Sequence, residues 1–402
     1  KKNRAGMSES VAAAAAGASA SCFQFLVENG CPYNISALII ASKHNQLGSL
    51  EYLHSVGAKF DLSVLRSAVI HGHAEALRFM LEISPSFSCA VITREAAKYG
   101  HLECLRTAVE FGCPWGVETC YVAAENGHLD CLRYAHENGC PWSESDLSQF
   151  RSVTTNAANH GHLECLIYAH QAGCPIGTSA CTLAAQRGHL SCLIYAHDNG
   201  GEWSATTTQS AAENGHSDCL QYAISEGCAV DPDIATRAAA APSLDCLQYL
   251  VGAGYSIDAT TCAAAAQSSL ATLKFLHELG CAWDASTCVG AVTNNARDAA
   301  CLQFAYENGC PWSAAVCAAA ALVGNLAALR YAHENGCPWD AETAYSAARS
   351  DEINCLEYAH THGCPMPKDL REKADLNNAV KCMFYIQLNI IESIFGDASV
   401  EY

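Results

Sequence analysis

The sequence predicts an all-α protein, a curved solenoid of stacked helix–loop–helix repeats. Three observations carry that expectation. The nine residues YAHENGCPW at positions 134–142 return letter for letter at positions 331–339. The glycine of that segment heads a column of thirteen positions: Gly30, Gly57, Ser84, Gly112, Gly139, Gly173, Gly200, Gly227, Gly254, Gly280, Gly309, Gly336 and Gly363. Most steps are 27 residues, one is 34, and periods in this range mark solenoids. Between successive glycines lie two short stretches with helical spacing.

The unit ending at Gly139 shows each element in order. Its first helix is expected near residues 118–125, followed by a turn at Asn126-Gly127. The second helix is expected near 128–138, where Leu129, Leu132 and Ala135 make an apolar stripe that Cys131 and Tyr134 widen. Gly139 suits the left-handed position that ends a helix, and Pro141 prevents its continuation. After Trp339 and Trp312 come Asp340 and Ser313, residue types that cap the next helix. The alanines of the first helices (Ala123, Ala124, Ala211, Ala212, Ala347 and Ala348) allow close packing, whereas second helices are bulkier. That asymmetry predicts curvature, with first helices lining the concave side.

Replacement within a column separates architecture from chemistry. The Trp column (Trp115, Trp142, Trp203, Trp283, Trp312 and Trp339) accepts Tyr33, Phe60, Ile176, Val230, Ile257 and Met366 elsewhere. It reads as a core position, so truncating Trp312 or Trp339 is expected to cost about 3–5 kcal/mol. The 25 cysteines fall mostly in repeat register, and alanine replaces them in some units, as at Ala58, Ala76 and Ala328. They read as small buried hydrophobes of a reducing intracellular compartment, cytoplasm or nucleus, not as a disulfide scaffold.

The units resemble ankyrin repeats. The matching residues are Ala123-Ala124, Gly127-His128-Leu129, Leu132 and Gly139, with Gly336-Cys337-Pro338-Trp339-Asp340 standing in the tail. The resemblance spans roughly residues 10–366. It implies a non-catalytic protein-binding scaffold. Ankyrin units run to about 33 residues, and the shortfall here falls where that family carries its β-hairpin finger, so fingers are expected to be shortened or absent. The segment 143–153, SESDLSQFRSV, keeps more length. Thr119-Cys120-Tyr121-Val122 replaces the family's TPLH box. The expected organisation is an extension at 1–9, thirteen units over 10–366, with the longer one around 143–173, and a helical cap at 367–402. The first unit lacks a polar cap, which suggests residues upstream.

The formal charge is −19, from 22 Lys+Arg against 41 Asp+Glu. That argues against nucleic acid or an anionic membrane and favours a basic protein partner. No apolar run approaches a membrane span.

His73, His101, His128, His162, His189 and His216 start second helices, where a ring can bond loop carbonyls. His54, His136, His170, His197, His277, His333 and His360 sit near second-helix ends and favour the negative end of the helix dipole. Both sets repeat, whereas an enzyme concentrates unusual residues in one place. Cys131 and Cys140 lie nine apart, outside zinc spacing. Equivalent cysteines of adjacent units, at a helix-to-helix distance of about 8–10 Å, lie beyond bridging reach. No phosphate loop or nucleophile elbow is present. The reading is therefore of no catalytic residue, cofactor or metal. Candidate partner-binding residues are Asp146, Gln149 and Arg151 in the long segment, and the first-helix residues Arg94, Glu95, Gln186, Thr207, Gln209 and Arg237. The competing reading is an architectural subunit of a large assembly.

Overall fold

The computed structural model describes residues 20–28, 33–84, 89–116, 118–142, 152–293 and 299–390. The expected extension at 1–9, the long segment with Asp146, Gln149 and Arg151, and the last residues of the expected cap lie outside them. The described residues contain helices and turns and no strand. The chain divides into two compact units, Lys1–Thr207 and Thr208–Tyr402.

In the N-terminal unit, first helices Ile35–Lys43, Leu62–Ile70, Ala90–Lys98, Thr119–Glu125, Val153–Asn159 and Ala180–Arg187 pack in a row. A second row runs through Ala20–Glu28, Leu47–Ser55, Ala74–Ile83, Leu102–Glu110, Leu129–Glu137, Leu163–Gln171 and Leu190–Asp198. The C-terminal unit repeats the arrangement from Ile234–Ala240 and Asp245–Gly252 through Ala341–Arg349 and Ile353–Thr361. One more pair, Leu370–Leu376 and Val380–Tyr385, follows within the segment expected to be a cap.

The core lies between the rows. Most second helices bury a Leu and the Ala or Leu three residues on, as in Leu132 and Ala135 or Leu329 and Ala332. First helices bury alanine pairs such as Ala123-Ala124, and small residues let backbones approach. A Cβ on Gly290 would stand 2.4 Å from the Ala263 carbonyl oxygen of the preceding first helix. Asp61, Asp258, Asp284 and Asp340 cap first helices through their carboxylates, and Asp258 completes a capping box with Thr261. Ser313 is in the capping position, but its side chain makes no cap bond.

Apart from the turns after Ala240 and Ser268, which hold no left-handed residue, the described turns between paired helices use the same device. Its glycine is left-handed, as at Gly72 (φ 77°), Gly100 (75°) and Gly127 (75°). Where glycine is missing, Asn45, Asp351 and Asn378 adopt the same region, the non-glycine types that tolerate it best. The histidine after the glycine reaches back one repeat. His73 Nε2 bonds the Lys43 carbonyl at 2.8 Å, His101 Nε2 the Ile70 carbonyl at 3.1 Å, and His162 Nε2 the Glu125 carbonyl at 3.1 Å. Each acceptor is the last residue of the preceding first helix, whose terminal carbonyls have no partner within the helix. Asn325 takes the histidine's place and donates Nδ2 to the Val292 carbonyl at 3.1 Å. The column therefore needs an N–H donor, which assigns the proton to Nε2 of these rings.

The ring lies over the previous repeat's glycine. A Cβ on Gly100 would meet the His128 ring at 2.5–2.9 Å, whereas one on Gly112 meets open space at the same φ of 75°. Gly112→Ala is therefore expected to cost about 1–2 kcal/mol for its backbone alone, and Gly100→Ala at least about twice that. Urea unfolding of the two variants measures the difference, and equal losses would remove the ring contact from the account.

Candidate interaction surface

The tail segment YAHENGCPW shows how the conspicuous residues are used. His333 stacks on Trp339 with centroids 3.9 Å apart and planes at 14°. Its Nδ1 shares a hydrogen bond with the Tyr358 hydroxyl of the next repeat at 2.9 Å. His136 repeats this with Trp142 (4.1 Å) and Tyr168 (3.0 Å). His197 stacks on Trp203 at 3.6 Å, and His277 on Trp283 at 4.4 Å. Tyr306 replaces the imidazole over Trp312 at 3.7 Å. Arg106, Arg133 and Arg330 lie over Tyr134, Tyr168 and Tyr358 of the following second helices, within cation–π range. The Asn of the segment donates to the carbonyl of its own Tyr, as Asn335 does to Tyr331 at 2.8 Å.

The tryptophans are half-buried rather than interior. This corrects the core reading of the column: these rings lie between a neighbouring aromatic side chain and solvent. Trp339→Ala is accordingly expected to cost about 1.5–3 kcal/mol, less than a core truncation. Urea titration of that variant beside Leu329→Ala, a fully buried side chain, tests the ranking.

Nearly all described cysteines are buried, and each carries a thiol rather than a disulfide. Burial pushes the thiols of Cys104, Cys131 and Cys246 up to about 12, and those of Cys165 and Cys192 to about 11. They stay protonated at neutral pH and offer no thiolate nucleophile. Among the described residues no group of three or more His, Cys, Asp or Glu could hold a metal ion. No helix there is long and apolar enough to cross a membrane.

The first-helix row behaves differently. Two residues before a buried alanine stand Arg66, Arg94, Tyr121, Thr155 and Thr182 in the N-terminal unit. Gln209, Thr236, Ala263, Val289, Ala318 and Tyr345 hold that position in the C-terminal unit. The residue type differs between most neighbours, Arg66 with Arg94 and Thr155 with Thr182 excepted, while the buried alanine persists; Thr155 is itself buried.

Arg94 bonds Glu95 at 3.0 Å and Glu118 at 3.4 Å, and Arg66 reaches Glu95 at 3.4 Å. Glu95 is only 3% exposed and joins neighbouring first helices. Gln186 is exposed on Ala180–Arg187. Thr207 is buried and bonds Thr182 Oγ1 at 3.0 Å. In the C-terminal unit Gln209 pairs with Asp231, and Arg237 with Glu213. These pairings tie neighbours together and leave part of most of these side chains at the surface.

Sequence reasoning missed a groove of about 330 Å³ in the N-terminal unit, lined by Thr178, Ser179, Thr182, Ser204, Thr206 and Trp203 among others. Its signal was present as a concentration of hydroxyl residues at the starts of two successive first helices. Such a surface offers hydrogen-bond donors and acceptors along an edge, with no nucleophile–base pair.

Residues 120–170 match the family described as ankyrin repeats (many copies). The relationship is distant and partial. Among solved structures, the chain is similar to the human ASB11 ankyrin repeat domain. That match has 19% identity and a TM-score of 0.37 and covers 41% of this chain and 84% of that one. It is also similar to the ankyrin repeat domain of Bcl-3, a unique member of the IkappaB protein family. There the identity is 18% and the TM-score 0.34, over 41% of this chain and 86% of that one. No curated protein matches the chain.

His128 and His333 give the stack a pH dependence. Burial pulls the pKa of His128 and of His333 below the ordinary 6.5; the Lys98 carbonyl opposes this at His128, and nearby His362 reinforces it at His333. The folded state therefore prefers the neutral ring. That stability is fully present above pH 6.5 and is lost as pH falls below it through the lowered folded value. The urea midpoint is expected to drop between about pH 7.5 and 5.5. His128→Asn, which copies the natural arrangement at Asn325, is expected to reduce the drop, and an unchanged drop would exclude His128 as a contributor.

Proposed function

We propose that the chain is a non-catalytic scaffold that binds a protein partner along its first-helix row. One observation carries the reading. The packing columns repeat, yet the row Arg66, Arg94, Tyr121, Thr155 and Thr182 carries three residue types, and all of them but the buried Thr155 keep part of their surface exposed. A position whose neighbours are constant and whose own identity is not dictated by packing is free to be chosen by what it touches. Repeat arrays expose long, rigid surfaces of this kind.

Within this reading Arg94, Glu95, Gln186, Thr207, Gln209 and Arg237 lie on or beside the contact surface, and Asp146, Gln149 and Arg151 add a contact from the long segment. The partner is basic or polar, because the net charge of −19 steers cations toward the chain. The ankyrin match over residues 120–170 is consistent with protein binding.

A second reading has its own support. Leu376, Val380, Phe384 and Leu388 are 78%, 70%, 67% and 48% exposed and recur every fourth residue. An apolar stripe of this kind suits an end-on contact in an assembly.

Affinity purification from native cells with cross-linking discriminates them. Cross-links on first-helix residues such as Arg94 and Gln186, lost on Arg94→Glu, are the expected result. Cross-links confined to residues 376–388 would replace it with the architectural reading. Recovery of no protein partner, with turnover of a small molecule by the purified chain, would overturn both.

A further inference from the structure

Two cysteine columns face each other inside a repeat. Cys262 lies in Ala259–Ser268 and is 0% exposed; Cys281 follows Leu270–Glu278 and is 9% exposed. Their sulfurs are 2.8 Å apart. A sulfur–sulfur bond is about 2.05 Å long, so an approach of about 0.8 Å separates contact from covalency. The same columns meet as Cys120 with Cys140, Cys288 with Cys310, and Cys317 with Cys337. The expectation that cysteines lie beyond bridging reach concerned equivalent positions of adjacent repeats; these are inequivalent positions of one repeat.

Two features set the 262/281 pair apart. Cys281 is the most exposed thiol of the four pairs, against 2% for Cys140 and 3% for Cys310 and Cys337. Those three are each followed by proline, at Pro141, Pro311 and Pro338, whereas Cys281 is followed by Ala282. Proline restricts the backbone of the residue before it. Ala282 leaves Cys281 free to turn toward its neighbour.

We propose that Cys262 and Cys281 form an oxidation site at which a small peroxide closes an intra-repeat disulfide. The Cys281 thiolate attacks one oxygen of hydrogen peroxide. The O–O bond breaks, a sulfenic acid forms, and the departing hydroxide takes up the thiol's proton to become water. The Cys262 sulfur then attacks the Cys281 sulfur as its own proton leaves. The S–O bond breaks, and the second hydroxide takes up that proton and leaves as water. Two thiols give up two hydrogens and two electrons, and one peroxide becomes two waters.

Access sets the order. Peroxide reaches the partly exposed Cys281, and the enclosed Cys262 resolves the intermediate. Burial holds the Cys281 thiol above its ordinary value, so little thiolate is present at neutral pH and the reaction accelerates as pH rises. The new bond would lock the tail onto the helix whose N-cap carbonyl, Asp258, Cys281 already holds at 3.3 Å.

The test treats the purified chain with hydrogen peroxide, alkylates the remaining thiols, digests it and identifies linked peptides by mass spectrometry. The expected first product is a single Cys262–Cys281 link, two hydrogens lighter and reversed by dithiothreitol. Alanine already occupies both columns, at Ala235 and Ala344 and at Ala58, so Cys262→Ala and Cys281→Ala are compatible with the repeat; circular dichroism checks their folding. Cys281→Ala leaves Cys262 fully alkylatable after unfolding. Cys262→Ala stops at a Cys281 sulfenic acid that dimedone traps. Earlier linkage of any other pair, or oxidation of Cys281 with Cys262 left reduced, would overturn the proposal.

Discussion

The fold depends on one recurring bond between repeats. A first helix ends with carbonyls that it cannot satisfy itself. In this chain a ring or amide from the next repeat satisfies one, as His73 does for Lys43, His101 for Ile70 and Asn325 for Val292. At His101 and His128 the left-handed glycine of the previous repeat makes room for the donor, since a side chain there would occupy the space of the ring; at His73 the left-handed Asn45 stands in that place. Each repeat is thereby incomplete until its neighbour arrives. That is the physical content of a solenoid: stability lies in the interfaces between units.

The chemistry-bearing residues are spent on that purpose. An imidazole stacked on Trp339 and bonded to Tyr358 is not poised as a base, because both its face and its Nδ1 are engaged. A thiol such as Cys131, pushed up to about 12 by burial, is a space-filling group at neutral pH. Arginines such as Arg133 and Arg330 lie over the neighbouring tyrosines. Gln186 on its first helix and the apolar Leu376, Val380 and Phe384 remain exposed.

Much of this was legible in the sequence. The glycine column, proline stops and apolar spacing marked each helix, and the boundaries at Thr119–Glu125 and Leu129–Glu137 fall within a residue or two of the expected ones. Substitution within a column identified the cysteines and histidines as architectural. The candidate surface was less legible. Glu95 reads as a polar first-helix residue, yet it is 3% exposed between two arginines. The tryptophans read as core, yet they lie half-buried, most of them against their own histidine and Trp312 against Tyr306. Periodicity reports which residues share a face but not how much of that face a neighbouring ring covers.

The sequence by itself determined the repeat, the helix–turn–helix unit and the positions where each chain segment must reverse, because these follow from local rules: spacing, left-handed glycine and the missing N–H of proline. Only the tertiary structure decided which groups meet. That His101 binds Ile70, that Thr182 meets Thr207, and that Cys262 touches Cys281 rather than an equivalent cysteine one repeat away depends on the rotation and offset between packed helices. Those are set by side-chain volumes summed over several elements at once, and no single window of sequence contains that sum.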